Sequence, residues 1–71
     1  MQIRSMHASD LDTVAAAEAA LHLTPWSVGN FRDSLSAGHR AVIAEESGQF
    51  LAYAVTCQVL DQAELLTIGV A

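Results

Sequence analysis

Hydrophobic positions along the chain change period three times, and each change marks an element. Over Met1–Met6, Gln2, Arg4 and Met6 alternate with Met1, Ile3 and Ser5, a weak strand whose charge at Arg4 suits an outer position. From Leu11 the period lengthens: Leu11, Val14, Ala15 and Leu21 recur at helical spacing within Ala-rich sequence, predicting a helix from about Asp10 to His22. Ser9 or Asp10 is its expected cap, and Asp10 and Asp12 lie in the first turn, where the helix dipole favours acids. Thr24-Pro25 interrupts, because proline disfavours helix in the residue before it. Ser27 then offers a second N-cap, Val28, Phe31 and Leu35 form a narrow apolar stripe, and Ala37-Gly38 ends the short helix on a left-handed glycine. Strand-like Arg40–Glu46 follows, with a turn at Ser47-Gly48.

The last stretch, QFLAYAVTCQVLDQAELLTIGVA from Gln49 to Ala71, organises the rest. It reads as two strands around a turn at Asp61-Gln62. The first sets Leu51, Tyr53, Val55, Cys57 and Val59 against Phe50, Ala52, Ala54, Thr56 and Gln58. Neither face is strongly polar through the middle, which predicts cover on both sides. The second sets Glu64, Leu66, Ile68 and Val70 against Leu65, Thr67, Gly69 and Ala71, and a strand ending at its most apolar point is expected of a domain cut in half. The predicted order is β-α-α-β-β-β, an α+β arrangement whose last three strands form an antiparallel meander.

Composition narrows the functional classes. Seventy-one residues allow one small domain, and a chain this short buries only about 60% of its unfolded surface, so marginal stability is expected. Cys57 is the only cysteine, which rules out an internal disulfide and fits a reducing, cytoplasmic setting. The net charge of −5, with three Arg and no Lys, argues against phosphate-backbone binding and so against nucleic acid. MQIRSMHASD has no apolar signal region, and no apolar run approaches the ~18 residues of a membrane span. His7, His22 and His39 lack metal-ligand spacing and are expected at the surface or at caps, while Cys57 is expected as a small core hydrophobe. No metal site is expected.

Two helices between the first and second strands, Pro25-Trp26-Ser27 at the second helix start, Phe31 within it, and Val59-Leu60-Asp61-Gln62-Ala63-Glu64-Leu65 leading to Ile68-Gly69-Val70 together carry a resemblance. The chain resembles the N-terminal half of a GNAT-superfamily N-acetyltransferase of the RimI type, enzymes that acetylate the N-terminal alanine of a ribosomal protein. The resemblance implies acetyl-CoA as co-substrate and a protein N-terminus as acceptor. It also implies that the coenzyme's pyrophosphate loop, a Gln/Arg-x-x-Gly-x-Gly/Ala motif opening a helix, lies beyond Ala71 together with the general base and a tyrosine general acid. Such a half is expected to be catalytically silent by itself.

On the same resemblance, Ile68, Gly69 and Val70 are the cofactor-binding candidates, through main-chain groups of a bulged strand end that hold the pantetheine arm and the acetyl carbonyl. A glycine within a strand suits close backbone approach or a bulge. Without the resemblance, Ile68 and Val70 read as core and Gly69 as a packing choice. Pro25 and Trp26 are candidates for acceptor-peptide contact, with Leu23 and Thr24 weaker ones, although a tryptophan beside a helix start is more often a packing anchor. Glu64 is a catalytic candidate because some GNAT members place a base on this strand; an exposed carboxylate is the plainer reading. Two other functions stay open: an interaction module that dimerises or binds partners through its last strand, and a GNAT enzyme acting on a small amine.

Overall fold

A computed structural model describes all residues from Met1 to Ala71. The elements are β1 (Gln2–Ser5), a single 3-10 turn (Ala8–Asp10), α1 (Leu11–Leu21), α2 (Val28–Ser36), β2 (Arg40–Glu46), β3 (Gln49–Val59) and β4 (Gln62–Val70). The four strands form one sheet in the order β1-β2-β3-β4, every neighbouring pair antiparallel. This is the α+β order that the hydrophobic periods predict, with β1 at an edge.

Local chemistry explains the boundaries. Ser27 and Asn30 form a reciprocal capping box at α2: the Asn30 N–H donates to Ser27 Oγ at 3.1 Å, and the Ser27 N–H donates to Asn30 Oδ1 at 2.9 Å. Gly38, at φ +82°, ends α2 in the left-handed conformation that a Cβ disfavours. Ser47 and Gly48 both take positive φ, which matches the twist of the β2–β3 hairpin. The β3–β4 turn lies at Leu60-Asp61, one residue earlier than expected, with Val59 opposite Gln62 and Leu60 at φ +56°. Asp10 does not cap α1 with its side chain. The 3-10 turn runs directly into the helix there, and the carboxylate instead takes the His7 N–H at 2.8 Å and two Arg4 N–H groups at 2.8 Å.

Both helices lie on one side of the sheet. Partner residues across antiparallel strands share a face, so the register defines two sides. Tyr53 lies opposite Ile43 and Gly69, and Val55 opposite Ala41 and Thr67; all six are buried. With Met6, Leu11, Val14 and Phe31 they form the core, closed by edge-to-face contacts of Phe31 with Trp26 (5.2 Å) and with Tyr53 (6.1 Å). Burying each of the larger side chains contributes about 1.5–3 kcal/mol. On the other side, Ala54 lies opposite Val42 and Ile68, and with Ile3, Ala44 and Ala52 these line an open apolar groove of about 180 Å³. Thus β3 is covered on one face, not both, because these 71 residues supply two helices and both pack on the same side.

Three further expectations change. Cys57 is only half-buried and Val59 is exposed, because the β3–β4 hairpin runs on past the end of the helical layer. Leu21 is exposed, and the buried helical stripe is Leu11, Val14 and Glu18. The bulge in β4 lies at Leu66, where the register with β3 shifts between Thr67 and Leu65, and not at Ile68–Val70. It turns Leu66 towards the core and breaks the simple alternation expected of this strand.

Candidate functional site

The chemistry gathers where the C-terminal turn of α1 meets β4. Glu18, 2% exposed, lies in the core on the apolar stripe of α1. Its carboxylate is fully partnered: the Tyr53 phenol donates to Oε1 at 2.6 Å, the Thr67 hydroxyl donates to Oε1 at 2.8 Å, and the Trp26 N–H donates to Oε2 at 3.0 Å. His22, one turn further along α1, brings Nε2 to 3.5 Å from Oε1. Burial is the largest single influence on Glu18 and pushes its pKa up. The hydrogen bonds from Tyr53, the Trp26 N–H and Thr67, with the attraction of His22, together outweigh it and hold the carboxyl below its ordinary range. Burial, and then the bond to Glu18, push the Tyr53 phenol well above its usual value. A buried ionised carboxylate, bound by neutral donors, is therefore built into the fold.

Gly69 makes this network possible. It lies opposite Tyr53 in the ladder, and a Cβ at position 69 would fall 2.5 Å from the Tyr53 ring. The glycine leaves room for the ring, whose hydroxyl reaches Glu18.

An open cavity of about 450 Å³ begins at this network, with Glu18, His22, Thr24, Trp26, Thr67 and Ile68 in its wall. It meets the free edge of β4. The Ala71 N–H donates to Leu51 O at 2.7 Å, so odd-numbered residues at this end of β4 turn their backbone groups into the ladder. Ile68 and Val70 turn theirs outwards, and the Ile68 carbonyl accepts from His22 Nε2 at 3.0 Å.

The site residues expected from the sequence fall into two groups. Trp26 and Ile68 line the cavity, as do Leu23 and Thr24. Gly69 and Val70 lie on the same strand end, Gly69 beneath Tyr53 and Val70 on the open edge. Pro25 is exposed in the same loop but does not line the cavity, and neither does Glu64, which is exposed and lies opposite Cys57. Two histidines depart from the expected surface role: His22 joins the network, and His39 is half-buried, with Nδ1 2.8 Å from Ser34 Oγ. Glu18 was not singled out by its sequence, yet a signal existed. It stands at i+4 from Val14 and i+7 from Leu11, a charge on the face that must be buried. No group of three His, Cys, Asp or Glu side chains comes together in metal-binding geometry, and no helix is long and apolar enough to cross a membrane.

The chain matches no protein-family model and no curated protein sequence. Its fold does match solved structures. It aligns with the crystal structure of the ribosomal-protein-S18-alanine N-acetyltransferase from Escherichia coli at TM-score 0.84 and 30% identity, over 97% of this chain and 44% of that one. It aligns with the ribosomal-protein-alanine N-acetyltransferase from Brucella melitensis at TM-score 0.71 and 24% identity, over all of this chain and 54% of that one. The 71 residues thus span about half the length of these neighbours.

Proposed function

Because the chain is a partial GNAT-superfamily acetyltransferase domain of the RimI type, we propose that it is the acceptor-side half of an enzyme that transfers acetyl from acetyl-CoA to the N-terminal amine of a protein, a ribosomal-protein alanine being the first candidate. The observation that carries this reading is the cavity at the free edge of β4, which joins outward main-chain groups of Ile68 and Val70 to the loop holding Thr24 and Trp26. An open strand edge suits an extended pantetheine arm, which carries amide groups that bond as a peptide does. Acetyl-CoA would supply the activated thioester; this half would supply one wall of its slot and one wall of the acceptor groove. Ile68, Gly69 and Val70 are the proposed coenzyme-contacting segment, and Pro25 and Trp26 the proposed acceptor contacts. The pyrophosphate loop would be supplied by sequence beyond these residues, so the 71-residue chain is expected to be silent alone. The site of action would be the cytoplasm.

The test is acetylation of an alanine-terminated peptide by protein expressed from the complete gene, beside the 71-residue chain. Turnover by the former and none by the latter supports the proposal. Turnover by the 71-residue chain overturns the division of labour, and none by either overturns the function.

The exposed apolar groove formed by Ile3, Val42, Ala54 and Ile68 favours a second reading, an interaction module that pairs through β4 or this face. A stable dimer of the complete gene product without acetyl transfer would establish it.

A further inference from the structure

We propose that the candidate site continues past Trp26 and Leu66 into a second cavity against α2, where Asp33 selects acceptor chains that carry a lysine or arginine beyond their N-terminal residue. This rests on the acetyltransferase reading given above and names the class of acceptor that the site takes.

Two open cavities share a wall. The first, of about 450 Å³, includes Thr24, Thr67 and Ile68; the second, of about 380 Å³, lies along α2 and reaches His39. Trp26 and Leu66 line both. Leu66 holds that place because the bulge in β4 turns it towards the core, and Trp26 because its ring meets Phe31 edge to face at 5.2 Å. The cavities therefore meet over one apolar ledge. A chain whose N-terminal amine lies by Ile68 can run over that ledge into the second cavity.

The second cavity carries one unpaired charge. Asn30, Asp33, Ser34 and Ala37 recur at i, i+3, i+4 and i+7 and make up the α2 stripe of its wall. Asn30 Oδ1 accepts from the Ser27 N–H at 2.9 Å, and Ser34 Oγ lies 2.8 Å from His39 Nδ1. Asp33 is exposed on that stripe and enters none of the ion pairs of the fold, whose acids are Asp10, Glu18, Glu45 and Glu46. Neither cavity wall contains an arginine. Glu18, the other acid of the two walls, is buried and already held by three donors.

These features fit a basic side chain. Lysine and arginine lay an aliphatic stem along apolar surface and keep the charged head in water. The Trp26–Leu66 ledge would take the stem, and Asp33 the head. The sign agrees with the whole chain, whose net charge of −5 attracts cationic chains and repels acidic ones. A glutamate or aspartate at the same place would meet Asp33 with no arginine in the wall to offset it.

The test uses protein from the complete gene, acetyl-CoA and alanine-terminated peptides: one neutral, the others with a single lysine or a single glutamate walked through the positions after the first. Lysine at one of those positions is expected to raise kcat/KM about fivefold over the neutral peptide, the upper range for an exposed ion pair. Asp33→Asn should erase the difference between the two peptides, and Asp33→Lys should move the preference to glutamate at the same position. That reversal is a change of ratio within one variant, which a fall in stability cannot mimic. Equal rates on lysine and neutral peptides at every position, or a lysine preference that survives D33N, overturns the assignment and leaves the acetyltransferase reading intact. Absence of turnover on every peptide by the unsubstituted protein overturns both.

Discussion

The two faces of the sheet are made from the same kinds of residue and have different fates. On the helical side, Tyr53, Val55, Ala41 and Ile43 are buried under α1 and α2, and the buried charge there, Glu18, accepts from Tyr53, Thr67 and the Trp26 N–H. On the other side, Val42, Ala44, Ala52 and Ala54 are as apolar, yet they line an open groove, and Ile68 beside them is half exposed. The helical side is also closed at its margin. Arg4, opposite Ile43, donates to Asp10 at 2.8 Å and to Glu45 at 2.9 Å, tying β1 and β2 to the start of α1. The open groove is lined by hydrophobic residues alone. Apolar character therefore marks both faces, but only the one that meets the helices carries a polar network, since a buried carboxylate is tolerable only where packed elements bring donors to it.

Four tests probe that contrast. Tyr53→Ala should have the largest effect, a loss of about 3–5 kcal/mol in urea unfolding, because it opens a cavity and removes the shortest donor to Glu18. A loss under about 1 kcal/mol would mean that the helical side is not the stabilising one. A matched pair comes next: Val55→Thr puts a hydroxyl into the core and should cost about 1–3 kcal/mol, whereas Val42→Thr on the open face should stay within about 0.5 kcal/mol. Equal costs would show that the open groove is covered in solution.

Gly69→Ala should cost about 1–3 kcal/mol by forcing a methyl against the Tyr53 ring. In a Tyr53→Ala background that cost should largely vanish, and simple additivity in the double-mutant cycle would rule out the ring as its cause. The smallest effect is titrational. Hydrogen bonds from Arg4 lower the Asp10 pKa to about 2 from an ordinary 3.8. A depressed acid stabilises the fold above its unfolded pKa and loses that contribution as pH falls through the folded value. Stability should therefore decline from about pH 4 to about pH 2, by about 1 kcal/mol once the half-exposed Arg4 is allowed for. Asp10→Asn should flatten that decline, as followed by circular dichroism across the range; an unchanged slope would assign it to Glu18, whose pKa is also depressed.

Much of the fold was legible because its signals are local. Ser27, Gly38 and Ser47-Gly48 act within a few residues, and their roles depend only on local geometry and short-range bonding. Of the candidate site residues, Trp26 and Ile68 fell on elements that meet at a cavity, while Pro25 and Glu64 did not join it. Glu18 and His22 were harder to see. Each reads as an ordinary residue of an Ala-rich helix until Tyr53, Thr67 and Ile68, 31 to 50 positions later, arrive beside them.

The sequence by itself determined the element order, the antiparallel meander, the Ser27 cap of α2, the turn at Ser47-Gly48, and the strongly apolar character of β3, since all of these follow from periodicity and short-range bonding. Tertiary structure alone decided which face of β3 is covered, that Leu66 rather than Ile68 is the bulged residue, and that a glycine at position 69 admits a tyrosine ring to a buried carboxylate. The physical reason is common to all three. Each depends on where a second element comes to rest, and a pattern of hydrophobic and polar residues fixes what must be buried without fixing what will bury it.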